Sequence, residues 1–145
     1  MMTIHVTEQI EYRPQIRALS RVLQDVHRAL IDFSRERYEL VNGSVVGRVE
    51  LLQLLLGDDA FAWLGPLSMF IVEIDELTAQ EVPPTEVEME AVRSRAEVLT
   101  SSSDDPNAFG SRYIALLPSE PRVAMHHGEL RAALSGLPTR VGPAA

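Results

Sequence analysis

Between residues 13 and 41 the stretch RPQIRALSRVLQDVHRALIDFSRERYELV places Ile16, Leu19, Leu23, Val26, Leu30, Phe33, Arg37 and Leu40 at alternating spacings of three and four. This pattern narrows the fold more than any other feature. A stripe of that period forms on an α-helix, and one sustained for about four heptads needs further helices to cover it. Arg37 alone interrupts it. The opposite face carries Arg21, Asp25, Arg28, Asp32, Arg35 and Glu39, each within three or four residues of an opposite charge. Such a ladder supports a helix by about 0.2–0.5 kcal/mol per pair and reads as a solvated face.

The rest of the chain repeats the helical signal. Asn42-Gly43 stops the first helix, because both residues tolerate the left-handed conformation of a helix end, and Ser44 can cap the next. That next segment, VVGRVELLQLLL, has only Arg48, Glu50 and Gln53 as polar residues, which predicts a largely buried helix. Asp58 or Asp59 caps the third helical segment. After VPPT, a rigid turn, Thr85 and Glu88 fit the T-x-x-E capping box, and Met89, Val92, Ala96 and Leu99 form an amphipathic stripe behind it. The polar stretch TSSSDDPN, residues 100–107, is a loop. A helix from about Pro106 to Leu117 and another from Ser119 and Pro121 to Leu134 complete the chain. The expected architecture is one all-α bundle over residues 1–145. Its four principal helices lie near 13–41, 44–56, 59–81 and 86–101, with two short C-terminal helices and loose termini at 1–11 and 137–145. No period-two strand longer than the opening TIHV is visible.

The third helix contains Gly65-Pro66 in its most apolar part. Proline cannot donate to the carbonyl of Ala62 and its ring clashes there, so a straight helix through this point loses on the order of 3 kcal/mol. Residues 59–64 are therefore expected to form a short turn, with Pro66 near the start of a helix reaching about Gln80. A kinked continuous helix is the alternative. Either way, Phe61, Trp63, Leu67 and Phe70 gather near one bend, where a ligand pocket can form. Beyond the bend, Met69 and Val72 lie opposite the core-facing arc, so the middle of this helix is apolar nearly all round. Either later helices cover that second face, or it meets a second copy of the chain.

Composition removes several classes of function. The net charge is −8, from 13 cations, all arginine, against 21 acids, with no basic run to neutralise a row of phosphates. Nucleic acid is not an expected partner. The absence of cysteine removes disulfides, thiolate metal sites and cysteine nucleophiles. The longest uncharged stretch, residues 60–72, is too short to span a bilayer, and MMTIHVTEQIEYR lacks a signal-peptide pattern, so a cytoplasmic location is expected. No phosphate-cradling glycine pattern and no Gly-x-Ser-x-Gly is present. His126 and Glu129 share one helical face, a spacing that supplies two ligands to a metal. Completing such a site would require His27 from the first helix, or Glu73 and Asp75 from the third. No Glu-x-x-His occurs, so a ferritin-like di-iron centre is not expected, and no cofactor is assigned.

The stretch DDAFAWLGPLSMFIVEIDEL resembles a segment of small, uncharacterised, all-helical bacterial proteins, and HRALIDFSRERYE and ELLQLLL are similar to the same group. The resemblance covers about the middle third of the chain. It implies a helical fold and a bacterial, cytoplasmic setting, and no activity or catalytic residue. The expected function is that of a non-enzymatic helical module acting through a protein–protein surface, as a homodimer through Met69 and Val72 or with another protein. Two rivals stand beside it: a small-molecule-binding bundle with its pocket at the Gly65-Pro66 bend, and a metal-dependent enzyme using His126 and Glu129.

Overall fold

The computed structural model describes residues 11–45 and 47–139. Among them the fold is all helical, with seven helices and no strand: α1 Arg13–Asn42, α2 Gly47–Gly57, α3 Asp59–Ala62, α4 Gly65–Ala79, α5 Glu86–Leu99, α6 Phe109–Leu116 and α7 Pro121–Ser135. The segment 59–81 is two helices, the short turn and the proline-started helix expected, and not one kinked helix. Pro66 sits in the first turn of α4, where its missing N–H leaves no bond unmade, and Asp58 opens α3 by accepting from the Ala60 amide at 2.8 Å. Among the described residues, no single helix is long and apolar enough to cross a membrane. The TIHV segment and most of the expected loose termini lie outside the described residues, whereas Leu137 is buried and its carbonyl accepts from Arg93 Nη1 at 2.6 Å.

Helix α1 is the axis of the molecule, with α4 and α7 packed along it. Its stripe is buried from Ile16 to Leu30, and each such leucine or isoleucine contributes about 1.5–3 kcal/mol relative to exposure. Over the last turns the buried face leaves the heptad. Ser34 is buried, while Phe33 is half-buried and Arg37 and Leu40 are exposed, Leu40 by 82%. The expected four-heptad stripe is thus covered for only part of its length. A strict seven-residue repeat drifts by about 20° per heptad on a straight helix, so its far end rotates away from the covering helices. The charged face is not wholly solvated either. Asp25 pairs with Arg28 at 3.7 Å and Arg35 with Glu39 at 3.8 Å, but Asp32 reaches Arg122 on α7 at 2.6 Å.

Local rules place the remaining elements. Gly43 ends α1 at φ 84°, a conformation that favours glycine. The capping box at α5 is complete, with the Glu88 amide donating to Thr85 Oγ1 at 3.1 Å and the Thr85 amide to Glu88 Oε1 at 2.9 Å. Met89, Val92 and Ala96 turn inward as their spacing predicts. At Gly110 a Cβ would stand 2.0 Å from the Ser101 carbonyl oxygen, so only glycine lets α6 start against the end of α5.

Helix α2 departs most from expectation. No residue between Gly47 and Gly57 is buried. Leu51, Leu54 and Leu55 lean on the core, while Val49, Leu52 and Leu56 point outward with exposures of 72, 55 and 79%. At 100° per residue these two stripes are centred roughly 140° apart. The helix is apolar on two faces, and the described residues cover only one.

Candidate functional site

Trp63 lies between α3 and α4 and is the hub of the aromatic cluster. It stacks on Phe109, ring centroids 5.5 Å apart, and Phe109 stacks on Tyr113 at 5.6 Å. Its Nε1–H donates to Ser34 Oγ at 3.1 Å, and Ser34 is 2% exposed. The Arg112 guanidinium lies over the Trp63 ring at 4.6 Å, and that of Arg37 over Phe33 at 5.2 Å. Phe33, Ser34, Arg37, Trp63, Arg112 and Leu116 are among the residues lining a cleft of about 430 Å³, which no carboxylate lines. Arg37, the one interruption of the α1 stripe, therefore faces a built feature.

Of the four residues expected to line a pocket, only Trp63 does so here. Phe61, Leu67 and Phe70 are 2, 1 and 3% exposed and belong to the core, with Phe70 also flooring a separate groove beneath Arg95. The bend turns their side chains inward, against α1, which packs on α3 and α4. Sequence reasoning places none of Arg37, Arg112 and Ser34 in a pocket. The signal for Arg37 was its place in an apolar stripe, whereas Arg112 and Ser34 carried none.

The histidines divide across the molecule. His126 Nδ1 and Glu129 Oε1 are 2.6 Å apart, and a carboxylate oxygen of Asp25 joins them, the three donor atoms lying within 4.8 Å of one another. One imidazole and two carboxylates can hold a divalent cation in principle. The partners expected from sequence do not reach this group. His27 packs toward α4, where its Nε2 pairs with Ser68 Oγ at 2.9 Å; Glu73 pairs with Arg95, and Asp75 accepts from Ser20 at 3.2 Å. In sequence Asp25 belongs to the charged ladder of α1, and only the docking of α7 brings it to His126.

His127 fastens α7 to α6. Tyr113 Oη and His127 Nδ1 share a hydrogen bond at 2.9 Å, and burial pushes the Tyr113 hydroxyl well above its ordinary value, so it stays protonated. Burial first and Arg131 second hold His127 below the usual histidine value, and burial does the same for His27.

Two apolar surfaces are open. Met69 and Val72 on α4 are 64 and 50% exposed, so the later helices α6 and α7 do not cover them. The other is the outward stripe of α2, Val49, Leu52 and Leu56. Comparison of the chain with family models, with curated proteins and with solved structures finds no match, and the geometry alone carries the functional reading.

Proposed function

We propose that the chain is a non-enzymatic helical module that acts through a protein–protein surface, and that this surface is the outward face of α2 held against a second copy. The observation that carries the reading is a helix with Val or Leu at six of its eleven positions and no buried residue. A lone exposed leucine is ordinary, but an aliphatic stripe with its own period marks an interaction surface. The stripe is also self-complementary. In an antiparallel pair with its two-fold axis near Leu52, Val49 faces Leu56 of the other copy and Leu52 meets its own counterpart, an isologous contact. The same arrangement brings exposed Arg48 near the acidic end of the other α2, at Asp58 and Asp59. An apolar centre with complementary charges at its rim is the usual anatomy of such an interface.

On this reading the dimer forms on α2 instead of on the Met69–Val72 face of α4, whose two exposed side chains make a smaller surface. Light scattering after size exclusion tests the choice. The expected mass is twice the 16.1 kDa of one chain. Leu52→Arg should give a folded monomer of unchanged helicity, and Met69→Arg should remain dimeric. A wild-type monomer at about 100 µM, where even a weak interface is populated, would overturn the reading. So would a dimer split by Met69→Arg and untouched by Leu52→Arg.

A further inference from the structure

The cleft at Trp63 differs in sign from the rest of the molecule. Acids outnumber arginines 21 to 13 in the chain, yet the cleft is lined by two arginines and by no acid. Arg37 on α1 and Arg112 on α6 are exposed and form no ion pair among the described residues; Arg17, Arg21, Arg48 and Arg131 share that state, but only Arg37 and Arg112 line the cleft. Each guanidinium instead lies over an aromatic ring, which holds its planar donor fork in place before any ligand arrives. Ser34 contributes a buried hydroxyl. Its oxygen accepts from Trp63, and no acceptor for its hydrogen is found among the described residues.

From these features we propose that the cleft binds a small, flat organic anion, an aromatic carboxylate. The two guanidiniums receive the carboxylate, for which their geometry suits bidentate donation. Phe33 and the aliphatic side chains of Ala115 and Leu116, which line the same cleft, receive the ring system. A bare inorganic anion would leave that apolar floor unused, and a neutral aromatic would leave both cations unpaired. About 430 Å³ lies within the range of roughly 300–1,000 Å³ usual for small-molecule sites.

The chain has one tryptophan, so its single indole N–H resonance reports on this cleft directly. The probe is 2-naphthoate, with 2-naphthylmethanol as its uncharged counterpart, titrated into the full chain and followed by ¹⁵N–¹H correlation spectra. Naphthoate should shift the indole signal saturably, and the alcohol should bind at least about tenfold more weakly. Arg37→Gln and Arg112→Gln, both at exposed positions, should each weaken naphthoate binding by about tenfold with unchanged helicity. Because Arg112 lies on the indole, affinity rather than starting chemical shift is compared between variants. An indole signal that naphthoate leaves unmoved, equal affinity for acid and alcohol, or wild-type affinity in both arginine variants would overturn the assignment.

Discussion

Helix α1 is rich in charge and buries eight side chains, whereas α2 carries Val or Leu at six of eleven positions and buries none. The contrast shows that burial follows where the apolar residues stand, not how many there are. In α1 they share one arc, and the helices on either side close over it. In α2 they form two arcs, and a helix at the end of the bundle has neighbours for only one. The second arc is then either an exposed liability or a contact surface, and its heptad spacing suits the latter.

The largest expected effect lies on the α1 side of the comparison. Leu23 is fully buried, and Leu23→Ala should lower stability by about 2–5 kcal/mol, read from the denaturant midpoint at unchanged slope. A loss below about 1 kcal/mol would mean that the stripe is not the core. Ser34→Ala comes next. Removing the acceptor of the buried Trp63 N–H should cost about 1–3 kcal/mol and move the single indole resonance.

A pH titration sharpens the same contrast, because α1 carries a half-buried histidine and α2 has none. His27 and His127 are held below 6.5, chiefly by burial, so the unfolded chain takes up protons before the fold does. Stability should therefore decline as the pH falls below about 6.5, and His27→Gln should flatten that decline. A profile unaffected by the substitution would place His27 in water. The smallest effect belongs to α2. Leu56→Ala, measured at dilution sufficient to separate any dimer, should change stability by less than about 0.5 kcal/mol, since Leu56 is 79% exposed.

Much of the fold was legible because its signals are local. The Asn42-Gly43 stop, the Thr85–Glu88 box and the prolines opening α4 and α7 each act within one turn, and the structure keeps them all. Depth was less legible. Composition cannot distinguish an apolar helix inside a bundle from one at its edge, so α2 was expected to be buried. The Asp25–His126–Glu129 group and the arginine-lined cleft depend on which helices meet: Asp25 and His126 are separated by most of the chain, and Arg37 and Arg112 by about half of it. Only Arg37 announced itself, by standing where a hydrophobic residue was due.

Cross-linking tests the α2 interface most directly, since the chain has no cysteine of its own. Across an antiparallel two-fold near Leu52, Leu52→Cys brings two thiols together, while Met69→Cys places them on the other open face. Under mild oxidation the account predicts rapid conversion of the Leu52→Cys protein to a disulfide-linked dimer that keeps its helicity, with Met69→Cys remaining a free thiol. A Leu52→Cys protein that stays monomeric on a non-reducing gel while Met69→Cys cross-links would contradict it.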